Sequence, residues 1–230
     1  MRATFLFTLT MMSVVALAQQ PFATNQRIFD TIPFIPDHNK ERVAIFEKEP
    51  VVTGKIIFLG NSITEMGNWA ALTGDKSVIN RGIGGDITYG VLKRLNDVIK
   101  RKPSKLFILI GINDIGKDIP DEAIANNYVT IIKRVQAGSP DTKIFMQSIL
   151  PVNPGVPNFP QHYAKQDHVV HTNQLLREVA RLTRIQFINI FPLFLDDQQY
   201  LDKKYTFDGL HLNPNGYEVW VNYLKETGSL

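Results

Sequence analysis

Five short apolar runs alternate with helical stretches along this chain, and that alternation constrains the fold more tightly than any other feature. The runs are residues 55–60 (KIIFLG), 77–80 (SVIN), 105–111 (KLFILIG), 143–148 (KIFMQS) and 186–189 (QFIN). They are rich in β-branched and aromatic residues, as strands buried on both faces are. Between and beyond them, stretches 41–47, 87–100, 121–136, 166–183 and 215–225 read as helices. Parallel neighbours in a sheet need crossovers, and helical crossovers cover both of its faces. The sequence therefore predicts a three-layer α/β domain with a parallel sheet, in which chemistry belongs just after each apolar run, at the carboxyl ends of the strands.

Length and composition fit one such domain: 230 residues with 44% hydrophobic content supply one substantial core. The organisation predicted is a signal peptide over 1–18, an N-terminal arm with a short helix over 19–54, and the main globular domain over 55–230. Met1-Arg2 provides a positive start, residues 5–17 an apolar run, and Ala16-Leu17-Ala18 the small-x-small pattern of a cleavage site. That run falls short of the roughly 20 residues of a membrane span, so export to a periplasm or the medium is the expectation. Residues 21–39 are Pro-punctuated and read as an extended arm. A formal charge of only +3 gives no dense basic field, which argues against a nucleic-acid partner. With no cysteine, disulfides, thiolate metal sites and cysteine nucleophiles are excluded, leaving oxygen and nitrogen chemistry.

Four polar blocks follow the runs. After the first comes Gly60-Asn61-Ser62, where a glycine lets the chain turn and present the Ser62 hydroxyl at the sheet edge; capping a helix is the commoner task of such a serine. No Gly-x-Ser-x-Gly elbow is present. After the second comes Gly82-Ile83-Gly84-Gly85-Asp86, whose glycines allow backbone N–H groups to approach an anion, with Asp86 suited to an N-cap. The run lacks Gly-x-Gly-x-x-Gly, so a nicotinamide cofactor is not indicated. After the third comes Gly111-Ile112-Asn113-Asp114; Asn113 can offer a side-chain N–H to a developing oxyanion or simply serve a turn. Near the C-terminus, Asp208 and His211 stand three apart on a tight turn, where a carboxylate can fix an imidazole tautomer.

In this order the four blocks resemble the SGNH hydrolases, or GDSL esterases, over residues 55–223. The chain is most similar to the branch holding platelet-activating-factor acetylhydrolase catalytic subunits and bacterial carbohydrate and sialate O-acetylesterases. The resemblance implies a five-stranded parallel sheet in flavodoxin-like order within an α/β/α sandwich. It implies that Ser62 is the nucleophile, His211 the base and Asp208 its orienter, with oxyanion donors at Ser62, Gly85 and Asn113. It also implies a cofactor-free and metal-free secreted esterase acting on short acyl groups, acetyl above all, carried by a glycan or other small molecule. One departure stands out: Asn61 occupies a position where the family usually has aspartate, a change expected to alter local hydrogen bonding without abolishing activity.

Two other readings stay open at this level: a lysophospholipase or thioesterase of the same fold, and a glycan-binding module that has lost catalysis. His162, His168 and His171 lie in one polar stretch without compact metal-ligand spacing. His38 reads as a solvated residue of the arm. Trp69, Tyr89, Phe159 and Tyr163 are candidates for a substrate pocket or for the core. The Pro-rich stretch 151–160 follows a strand directly, so it is either a wall of the site or a plain connection.

Overall fold

A computed structural model describes residues 36–156 and 158–230; the signal-peptide reading of residues 1–18 and the start of the arm lie outside them. The apolar runs form β1 (Ile56–Gly60), β2 (Ile79–Gly82), β3 (Lys105–Leu109), β4 (Lys143–Gln147) and β5 (Gln186–Ile188). All pair in parallel in the order β2-β1-β3-β4-β5, the flavodoxin-like order. Register places Phe58 beside Phe107 and Phe107 beside Phe145. Their rings stack at 4.8 and 4.7 Å, with Trp69 stacked on Phe58 at 3.8 Å. Each such pair contributes about 0.5–1.5 kcal/mol beyond the area it buries.

Trp69 belongs to α3 (Trp69–Thr73) and meets Trp220 of α9 (Pro214–Glu226) edge-on at 5.0 Å, so these helices cover the phenylalanine face. The other face takes α4 (Thr88–Lys100), α6 (Asp121–Gly138) and α8 (Gln166–Thr183), which pack against one another in that order. Three one-turn helices lie at the carboxyl edge of the sheet: α2 (Ser62–Glu65), α5 (Ile112–Gly116) and α7 (Pro160–Tyr163). Among the described residues no helix is long and apolar enough to cross a membrane.

Two expectations need correction. β2 starts later than residues 77–80 suggested and runs through polar Asn80 and Arg81, because on this edge strand long-range pairs satisfy the side chains. Asn80 Nδ2 donates to the carbonyls of Thr64, Glu65 and Gly67, and Arg81, 2% exposed, is held by Glu49 and Asp97. The reading of residues 21–39 as an extended arm also fails over its described end, since residues 36–39 belong to α1 (Pro36–Lys48). Arg101 fastens the end of α1 by donating to the carbonyls of Pro50 and Phe46, while the Arg81 guanidinium lies over the Phe46 ring.

Candidate active site

β1 ends at Gly60, where any Cβ would come within 2.2 Å of both the Leu109 carbonyl and Thr64 Oγ1; only glycine fits. The chain then turns into α2, and its cap is Asn61, whose Oδ1 accepts the Ile63 N–H at 3.0 Å. The capping role that sequence left open for Ser62 thus falls to its neighbour. Asn61 Nδ2 is buried without a partner among the described residues. Ser62, at the first helical position, directs its hydroxyl at His211, with Oγ 2.9 Å from Nε2.

His211 is fixed from its other side. Asp208 Oδ2 accepts the ring Nδ1–H at 2.7 Å, while Oδ1 accepts the backbone N–H groups of Leu210 and His211 at 3.0 and 2.8 Å. The turn is tight because Gly209 takes φ +82° against the Asn153 carbonyl, and Thr206 Oγ1 donates to the His211 carbonyl. Tyr163, a core residue, donates to the Asp208 carbonyl at 2.7 Å. Burial alone would raise the Asp208 carboxyl, but the hydrogen bonds from His211 and Leu210 outweigh it and hold the group below the usual carboxylate range. A proton on Nδ1 therefore faces a carboxylate, leaving the Nε2 lone pair for the serine hydroxyl.

Opposite the serine, Gly85 sits at φ +74° in the turn after β2. Among the described residues neither the Ser62 nor the Gly85 N–H has a protein acceptor. The preceding Gly84 N–H donates to Glu65, which also takes His38 Nε2 at 2.9 Å and pairs with Arg42 at 2.9 Å. His38, its side chain 40% exposed, keeps the solvent contact its position in the arm suggested but also lines the cleft and pairs with a carboxylate 27 positions away. Asp86 is not the N-cap of α4 either. That place is taken by Ile87, and Asp114 accepts the Thr88 N–H and hydroxyl in its stead. Asp86 turns to Arg94 at 2.8 Å, and Arg94 ties down the carbonyls of Arg81 and Gly60, closing the ends of β1 and β2 together.

Asn113, 8% exposed on α5, donates from Nδ2 to the Asp86 carbonyl at 2.9 Å, and its Oδ1 accepts from His162 Nε2 at 3.3 Å. Ser62, Gly85, Asn113, His162 and His211 line one cleft of about 350 Å³, with Phe159 and Leu210 as its apolar walls. The 151–160 stretch therefore contributes a wall through Phe159. Trp69, Tyr89 and Tyr163 are core residues instead. The three histidines of the polar stretch separate: His162 enters the cleft, whereas His168 and His171 both turn Nδ1 toward Asp121.

A hydroxyl, an imidazole and a carboxylate in a hydrogen-bonded row, at the strand ends of a doubly wound sheet and facing free N–H groups, define a serine hydrolase on a flavodoxin-like sheet. The family description "GDSL-like Lipase/Acylhydrolase family" matches residues 58–219, and the chain belongs to that family as a serine ester hydrolase. Among curated proteins it is 27% identical to platelet-activating factor acetylhydrolase IB subunit alpha2 of Rattus norvegicus, over 84% of this chain and 86% of the relative. Among solved structures it is 32% identical to a Streptococcus pneumonia protein provisionally assigned as a platelet activating factor, with TM-score 0.73 over 83% of this chain and 92% of that one. A GDSL-like lipase from Bacteroides thetaiotaomicron shares the fold at 23% identity and TM-score 0.68, over 82% and 96% of the two chains.

Proposed function

We propose that the protein is an exported esterase that removes short acyl groups, acetyl above all, from an alcohol oxygen of a carbohydrate or similar small molecule. The observation that carries the chemistry is the row Asp208–His211–Ser62, at 2.7 and 2.9 Å, opening into the cleft that Gly85 and Asn113 face. Ser62 Oγ attacks the ester carbonyl carbon as His211 Nε2 takes its proton, and Asp208 stabilises the imidazolium. Negative charge on the carbonyl oxygen is met by the Ser62 and Gly85 N–H groups and the Asn113 amide. Collapse breaks the ester C–O bond, and His211 gives its proton to the leaving alcohol. Water, deprotonated by the same histidine, then releases the acid and restores Ser62.

Support for a short acyl group comes from the acetylhydrolase relatives and from the modest cleft walled by Phe159 and Leu210. Support for export comes from the Arg2 start, the apolar run and Ala16-Leu17-Ala18, with cleavage after Ala18. Hydrolysis of p-nitrophenyl esters from acetate to decanoate, with Ser62→Ala as control, tests the reading. Serine-dependent release fastest on acetate supports it. A preference for long chains favours a lysophospholipase or thioesterase, and no release by folded protein favours a binding module.

A further inference from the structure

We propose that His162 is a positioning residue for this reaction: it holds the Asn113 side-chain amide with an N–H turned into the cleft where the oxyanion forms. The inference rests on the assignment of Asn113 as an oxyanion donor.

A planar amide can turn over, exchanging oxygen and nitrogen with almost no change in shape, so its sense is set by its partners alone. Asn113 has two. The Asp86 carbonyl demands a donor and receives Nδ2 at 2.9 Å. His162 Nε2, at 3.3 Å, faces Oδ1. In the reversed amide, Oδ1 would oppose the Asp86 carbonyl, which is held in place because the Asp86 carboxylate is fixed by Arg94. Both partners therefore select one sense, in which the second Nδ2 hydrogen remains for the substrate.

The imidazole is built in for this contact. His162 is 6% exposed and edge-on to Phe159, which is also edge-on to His211. Gly116 makes its room, since a Cβ there would lie 2.6 Å from His162 Nε2. Nδ1, by contrast, is buried with no partner among the described residues. Leaving an acceptor unmet costs about 1–3 kcal/mol, a cost that a phenylalanine or leucine packing in the same place would avoid. Burial foremost, then Lys165, His211 and Lys117, push the ring down to about 4. At neutral pH it carries a single proton, which the geometry assigns to Nε2. A neutral donor also adds no positive charge beside His211 when that ring becomes imidazolium.

The test compares kcat and KM on p-nitrophenyl acetate for His162→Phe, His162→Gln, Asn113→Ala and the His162→Phe/Asn113→Ala pair. Loss of a whole oxyanion donor lowers turnover about 10²–10³-fold. Loosening one should lower kcat about tenfold, with KM changed less than about twofold. His162→Gln, which keeps a donor, should recover most of that loss, and His162→Phe should change kcat less than about twofold once Asn113 is already alanine. Equal losses in both backgrounds, or a His162→Phe enzyme as fast as the parent while Asn113→Ala is slow, overturn the role of His162 alone. An Asn113→Ala enzyme at full turnover overturns the donor assignment as well. If His162→Phe does not fold, ¹⁵N spectra of the unmodified protein decide: a His162 proton on Nε2 at neutral pH supports the proposal, and one on Nδ1 overturns it.

Discussion

Replacing Asp208 by asparagine separates the two tasks this side chain performs. Oδ1 caps the turn by accepting the N–H groups of Leu210 and His211, and Oδ2 takes the imidazole proton. An asparagine oriented by the two backbone donors keeps Oδ1 in place and presents its NH2 to His211 Nδ1. Two donors then face each other, and the ring relieves the conflict by moving its proton to Nε2, which faces Ser62 Oγ at 2.9 Å. The base loses its lone pair while every backbone contact of the turn survives. In serine triads of this arrangement that tautomer error lowers turnover about 10⁴-fold, equivalent to about 5 kcal/mol of transition-state stabilisation. Stability should change little, because the side chain is one-fifth exposed and its cap is retained. Asp208→Ala should lose turnover and, in addition, about 1–2 kcal/mol of stability with the cap. The assay is kcat on p-nitrophenyl acetate beside thermal unfolding. An Asp208→Asn enzyme within tenfold of the parent, with an intact fold, would falsify the claim that Asp208 sets the tautomer.

Other perturbations probe the frame around the site. Burial, opposed by the Thr88 hydrogen bonds and reinforced by the charge of Asp86, raises the Asp114 carboxyl to about 7. The folded state thus holds this proton more tightly than the unfolded chain, whose aspartate titrates near 4. The stability Asp114 contributes is complete below about pH 4 and lost as pH rises through about 7. Asp114→Asn should therefore gain on the parent across that window in urea unfolding, and a pH-independent difference would contradict the raised value. Glu65→Ala strips the Gly84 N–H and His38 of their shared acceptor and Arg42 of its ion-pair partner; stability should fall by about 1–3 kcal/mol and kcat with it as the Gly85 turn loosens. A variant with unchanged kcat would detach Glu65 from the site. Gly82→Ala would put a Cβ 2.1 Å from the Glu65 backbone nitrogen, and should cost about 3 kcal/mol or more; an unchanged Tm would show that the strand end yields.

The sheet was legible because its signal is local. Runs 105–111 and 143–148 contain β3 and β4, and residues 166–183 coincide with α8, since apolar pattern and helical period are written into consecutive residues. The first three polar blocks were legible for a related reason: each comes at the end of a strand, and topology brings strand ends together, while the fourth, 208–211, was marked by an aspartate and a histidine three apart on a tight turn. What escaped were pairings between distant residues. Arg81 in β2 reads as an interruption until Glu49 and Asp97 are seen around it. His38 and His162 carry no local mark of their place in the cleft, nor does Glu65 of its contacts with His38 and Gly84; Gly116, the small residue that admits His162, gains meaning only when α5 and α7 are seen together. Asp86 has the right residue type for a cap, but a buried arginine eight positions on competes for it and wins.

The central claim is an acyl group carried by Ser62. Mixing the protein with excess p-nitrophenyl acetate, quenching in acid within one turnover and weighing the intact chain tests it directly. The account requires one acetyl group per chain, mapped by peptide sequencing to Ser62, and none on Ser62→Ala. Acetyl on another residue, or normal ester hydrolysis by Ser62→Ala, would contradict it.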